Sequence, residues 1–172
     1  MRQITTRVLI ATALLGVAAC AKKPPRELPP APPTETQPVD PATDPALAGR
    51  PMPGSQADFV ATVTADRIFF DTDQSDVDAS DRATLESQSG WLGRYPAARV
   101  TIEGHADERG TREYNLALGE RRANATKNAL AALGVSPSRI TTISYGKERP
   151  DATGSDETAY ARNRRAVTVT VE

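Results

Sequence analysis

The sequence predicts an α+β two-layer sandwich over residues 58–172: a βαβαββ chain whose two main helices cover one face of a mixed sheet. Three observations predict it. Four short segments rich in β-branched residues recur after residue 58, and helix-length segments separate the first three of them. Eleven of the fourteen prolines fall between Pro24 and Pro53, so the N-terminal third is outside any core. Hydrophobic residues make up only 38% of the 172-residue chain, and the deficit is concentrated in that third.

Residues 1–19 read as a signal peptide. Arg2 and Arg7 precede an apolar run from Val8 to Ala19. Twelve residues fall short of the roughly 20 that span a bilayer. Val17-Ala18-Ala19-Cys20 resembles a bacterial lipobox, whose cysteine becomes the lipidated first residue. Cys20 is the only cysteine, so it is the expected lipidation site. Ala21 replaces the aspartate associated with inner-membrane retention, which favours an outer-membrane anchor. Residues 20–57 then form a proline-rich, disordered tether. At roughly 3.1 Å per residue such a chain reaches on the order of 100 Å.

Within 58–172, Phe59–Phe70 (FVATVTADRIFF) reads as extended, with Arg67–Phe70 its core piece. Asp78 is the expected N-cap of a helix that runs to about Tyr95, where Pro96 stops it. The apolar stripe of that helix is weak: Ala79, Leu85 and Leu92, with Trp91 alongside. Arg99–Glu103 alternates as a strand. A second helix begins at Thr111 or Arg112 and ends at Leu133, with Gly134 as the stop. Ile140–Tyr145 is the third strand. A polar loop with a helical turn near 158–162 follows, and Arg165–Val171 closes the domain.

The stripe of the second helix carries the main anomaly. Tyr114, Leu118, Arg122, Ala125, Ala129 and Leu133 share one face by steps of three and four. Five suit a core, while the guanidinium of Arg122 needs an anionic partner once withdrawn from water. Asp107, in the loop feeding the helix, is the candidate. The two side chains read either as a structural salt bridge or as the halves of a clamp for a zwitterion, with Arg122 taking a carboxylate and Asp107 an ammonium.

Other chemistry fits less well. The run Asp71–Asp81 opens like a calcium loop, but Asp76 stands where the turn glycine belongs and Arg82 where the bidentate glutamate belongs. A solvated loop before a helix N-terminus explains it better. One histidine and one cysteine exclude a cysteine–histidine zinc site, and His105 is expected to order its loop through a hydrogen bond. No serine lies in a nucleophile elbow, and no carboxylate pair is selected by spacing, so the expectation is no catalytic residue, no cofactor and no enzyme. Without residues 1–19 the chain has 19 basic against 22 acidic side chains, which gives no support to nucleic-acid binding.

The segments EGHADERGTREYNLALGERRA (103–123), ISYGKERP and NRRAVTV together resemble the OmpA-like C-terminal domain family, over about residues 66–171. The resemblance implies non-covalent binding of the peptidoglycan stem peptide at its diaminopimelate centre. By motif position the ligand aspartate is Asp107 and the ligand arginine is Arg122, with Asn115, Leu118 and Ala123 in register. Gly119 stands where the wider family commonly has serine. Phe70 and Asp71 match the Phe-Asp pair at the rim of the site. Asn163 and Arg165 are expected contributors, with Arg164 as the alternative arginine. Leu118 is expected in the site, and Thr111 at a helix N-terminus whose free N–H groups suit a carboxylate. The family also implies partners: TolB and other Tol–Pal components, in envelope integrity and cell division. Rival expectations are a wall anchor for another envelope machine and a wall-cleaving enzyme.

Overall fold

The computed structural model describes residues 49–171; the expected signal peptide, Cys20 and most of the expected tether lie outside that range. The elements are α1 (Gln56–Thr62), β1 (Arg67–Phe69), α2 (Ala79–Arg94), β2 (Arg99–His105), α3 (Arg112–Ala132), a 3-10 turn at Pro137–Arg139, β3 (Ile140–Gly146), α4 (Glu157–Asn163) and β4 (Arg165–Val171). The sheet order is β1-β4-β2-β3. β4 is antiparallel to both neighbours, and β2 and β3 are parallel. The expected mixed sheet and strand–helix order hold; the helical turn expected near 158–162 is α4, and α1 is an additional short helix.

Phe59–Thr62 is helical rather than extended. Ser55 caps α1, accepting from the Asp58 N–H at 3.2 Å. The fully buried Phe59 ring meets Trp91 edge-on at 5.0 Å between centroids. The low helix propensity of Val60 and Thr62 costs only a few tenths of a kcal/mol each, about what one cap returns. Trp91 also donates Nε1–H to Asp58 at 3.0 Å, tying α1 to α2.

Asp78 caps α2 as expected, accepting from the Asp81 N–H at 2.7 Å. The weak stripe has a cause: Ala79 is exposed, and Gln88 sits fully buried among Leu85, Trp91 and Leu92. Its amide donates to the Ala65 carbonyl and accepts from the Thr168 hydroxyl, so the buried polar group is satisfied.

The buried face of α3 is rotated from the expected stripe. Asn115, Leu118, Gly119, Arg122, Ala123, Thr126 and Leu130 are buried, whereas Tyr114 is exposed and Ala125, Ala129 and Leu133 are half-buried. The rotation follows from a close backbone crossing. A Cβ built on Gly104 of β2 would lie 1.8 Å from the Gly119 carbonyl oxygen, so two glycines let helix and strand meet. α3 ends as expected at Gly134, whose φ of +93° suits only glycine.

Candidate functional site

The loop 70–78, the end of β2, the loop 106–111, the first turns of α3 and the start of β4 converge at one end of the two central strands of the sheet. Arg122 is the centre of this region, with none of its surface exposed. It does not pair with Asp107. Its Nε–H donates to the Gln74 carbonyl at 2.9 Å, Nη1 to His105 at 2.8 Å and Nη2 to Asp71 at 2.9 Å. Three carbonyls thus replace the anionic partner expected from the sequence, and the structural salt bridge is absent. Carbonyl dipoles suffice because a guanidinium spreads its charge over five N–H donors, of which two remain uncommitted here. The Phe70 ring lies 5.2 Å from the guanidinium carbon. Burial, then the neighbouring Arg164, push the Arg122 pKa down to about 10, against the pull of Asp107 and Asp73. The group is therefore still charged at neutral pH.

Asp107 is engaged elsewhere. Its Oδ1 accepts from the Arg109 N–H and Nε–H, each at 3.1 Å, and its Oδ2 accepts from Arg109 Nη2 at 2.6 Å. The backbone bond closes an Asx turn. Arg164 Nη1 approaches the same carboxylate at 3.5 Å. Burial raises the Asp107 pKa, but the Arg109 hydrogen bonds and the charges of Arg109 and Arg164 outweigh it, and the group sits below the usual carboxylate range. Arg109 in turn lies over the Tyr160 ring at 4.4 Å.

Asp107, Leu118 and Arg122 line one cavity of about 270 Å³, together with Asp73, Arg109 and Tyr114. The structure therefore brings three of the expected residues together. Phe70 and Asp71 instead line a neighbouring cavity of about 570 Å³ on the other side of the 71–74 turn, although the Asp71 carbonyl holds Arg122. Thr111 is outside the lining; its hydroxyl caps α3, accepting from the Tyr114 N–H at 3.2 Å. Asn163 staples the loop before α4, accepting from the N–H groups of Asp151 and Ala152 and donating to Ala152. Arg165 points away, towards the carbonyls of Asn163 and Arg149. Arg164 is the arginine that reaches Asp107, because adjacent residues entering a strand project to opposite faces.

His105 differs from expectation. It is buried against Tyr145, and neither ring nitrogen has a hydrogen-bond partner among the described residues. Burial, then the charges of Arg165 and Arg149, lower its pKa to about 4, so the ring is neutral. Its contribution to the site is the backbone carbonyl that Arg122 uses.

Asp73, Arg109 and Tyr114 are lining residues that sequence reasoning passed over. Arg109 had a readable signal, since an Asp-x-Arg segment ahead of a helix can close an Asx turn. Asp73 and Tyr114 meet across 41 positions of chain, with the Tyr114 hydroxyl donating to Asp73 at 3.1 Å, and no local pattern marks that.

The OmpA family model matches residues 69–164, which span these elements up to the residue before β4. The peptidoglycan-associated lipoprotein of Agrobacterium fabrum is 59% identical over 122 residues, 71% of this chain and 68% of that protein. Its counterpart in Brucella melitensis is 51% identical over 175 residues, 98% of this chain and 96% of that one. The crystal structure of the peptidoglycan-associated lipoprotein from Burkholderia pseudomallei superposes with a TM-score of 0.61 at 41% identity, covering 66% of this chain and 93% of that one. A family match across β1 to α4, relatives aligned over nearly the whole length and a shared fold lead to one conclusion: the chain belongs to the OmpA family.

Proposed function

We propose that this chain is an outer-membrane lipoprotein whose domain, facing the periplasm, binds peptidoglycan without cleaving it. The ligand is the stem peptide, gripped at the diaminopimelate centre, a carbon bearing both an ammonium and a carboxylate. One observation carries the reading: a single cavity holds a carboxylate, Asp107, beside a wholly buried guanidinium that remains charged and has two N–H groups to spare. Leu118 supplies an apolar wall for the side-chain methylenes. Relatives aligned over 71% and 98% of this chain carry the name peptidoglycan-associated lipoprotein, which supports the same ligand and a lipid anchor at Cys20. With that anchor, the tether of residues 20–57 joins membrane to wall. In this setting TolB and the other Tol–Pal components are the expected protein partners, with roles in envelope integrity and cell division.

The test is sedimentation of the full chain with purified peptidoglycan. The wild type should co-sediment and release no fragments. Asp107→Asn and Arg122→Lys should weaken binding by about 2–5 kcal/mol, the range for stripping one partner from a desolvated charge pair. Soluble muropeptides in the supernatant, or wild-type binding by both variants, would show the reading to be wrong.

A further inference from the structure

The N-terminal side of the chain and the cavity meet the domain at opposite poles of the sheet. β1 and β2 end, and β4 begins, at the site: Phe69 pairs with Arg165, and Gly104 with Ala166. The far pole holds the start of β2 and the end of β4, where Arg99 pairs with Val171. α1 is fastened there. Gln56 Oε1 accepts from the Thr170 N–H at 2.7 Å and from its hydroxyl at 3.0 Å. The residues leading in from 49 therefore join the fold at the pole away from the site.

β1 runs from the far pole to the site, antiparallel to β4. Backbone bonds close the pairing at both ends: the Thr168 N–H donates to the Asp66 carbonyl at 2.8 Å, and the Phe70 N–H to the Arg164 carbonyl at 2.9 Å. Side chains fasten the site end again. Arg164 Nε donates to the Phe70 carbonyl at 2.9 Å, and Arg122 holds the carbonyls of Asp71 and Gln74 just beyond. Ile68, 1% exposed, seats the middle of the strand in the core. The bonds of an antiparallel ladder lie across its strands. A pull from the N-terminal side against an anchor at the site runs along β1, so it loads all of these bonds together. A pull between the start of β1 and the end of β4 acts from one pole and opens the same bonds one after another.

We propose that the pairing of β1 with β4 is a load-bearing clamp, placed so that tension between membrane and wall crosses the domain as shear along this ladder. The load rests on the membrane-to-wall reading above, whereas the resistance to it follows from strand direction alone. The clamp keeps the 71–74 turn, and with it the seat of Arg122, in place while the chain is pulled.

Optical-tweezers unfolding of the full, unlipidated chain tests it, with DNA handles on pairs of cysteines. Handles on Cys20 and Glu113→Cys pull between the N-terminal side and the exposed first turn of α3, beside the site. Handles on Cys20 and Glu172→Cys pull from the far pole only. At equal loading rates the first pair should need a several-fold higher rupture force, because forced unfolding is governed by the barrier met along the pull. Replacing the Cys20 handle by one on the exposed Thr64→Cys, with Cys20→Ser, bypasses α1 and should keep the higher force. Equal forces in the two geometries, or a higher force from the far pole, overturn the clamp and leave wall binding standing. A high force that vanishes when α1 is bypassed belongs to α1 and overturns the assignment to β1. If the force difference is present but the chain does not sediment with peptidoglycan, the wall-binding reading fails and the clamp's role fails with it.

Discussion

Replacing Arg122 by alanine should unfold more than the binding site. The side chain makes three charge-assisted hydrogen bonds of 2.8–2.9 Å to carbonyls on two separate chain segments, the 71–74 turn and the end of β2. Each such bond contributes about 1.5–3 kcal/mol, but the losses are not additive. Asp71 and Gln74 are exposed, so water can reach their freed carbonyls, whereas His105 is buried and its carbonyl would be orphaned. A net loss of about 3–5 kcal/mol follows, the usual cost of stripping one member from a buried polar arrangement. Unfolding entropy of about 2.1 cal/mol/K per residue over the 123 residues from 49 to 171 amounts to about 0.26 kcal/mol/K. The midpoint of thermal unfolding should therefore fall by about 12–19 °C. Differential scanning calorimetry of the full chain reads this directly. Arg122→Lys keeps the charge but lacks the fork, and should lose roughly half as much. An Arg122→Ala midpoint within about 3 °C of wild type would refute the idea that this side chain holds the turn to the sheet.

Two further outcomes follow from the packing and the titration behaviour. A Cβ at Gly104 would meet the Gly119 oxygen at 1.8 Å and its carbonyl carbon at 2.6 Å, both backbone atoms, so α3 must lift from β2. Gly104→Ala should cost about 3 kcal/mol or more in urea-determined stability, whereas Gly90→Ala on α2, with nothing within 4 Å, should gain up to about 1 kcal/mol. His105, lowered from 6.5 to about 4 in the folded state, is protonated more readily when unfolded. Its contribution is complete above pH 6.5 and is lost as the pH falls towards 4, about 3 kcal/mol in all. Asp81, raised by burial, acts in the opposite sense, so the comparison is the urea midpoint of wild type against His105→Phe across that window, in which the variant should show the flatter profile.

Elements whose cause is local were legible in the chain. Asp78 is a cap, Gly134 is a stop and the helix start at Thr111 or Arg112 was readable, because capping depends on a side chain and a backbone group a few residues apart. The βαβ spacing and the identity of Arg122 and Asp107 as charged residues near one helix were readable for the same reason. Where a non-local contact decides, the sequence misled. Phe59 reads as strand by composition but helps form a helix because its ring has Trp91 to pack on, 32 positions away. Alternation marked β4 as a strand yet could not tell its faces apart. Thr168 and Thr170 turn towards the helices, satisfied by Gln88 and Gln56, while Val171 is half exposed.

By itself, the sequence determined that a proline-rich segment precedes a two-layer domain, and that one helix carries a buried-side arginine that cannot shed its charge. Only the tertiary structure decided what that charge meets. A guanidinium out of water can be stabilised by an anion or by several carbonyl dipoles, and which of these is within 3 Å depends on segments that the fold brings together from 48 and 51 positions away. Because carbonyls took that role, Arg122 kept two donors free and Asp107 was left to Arg109.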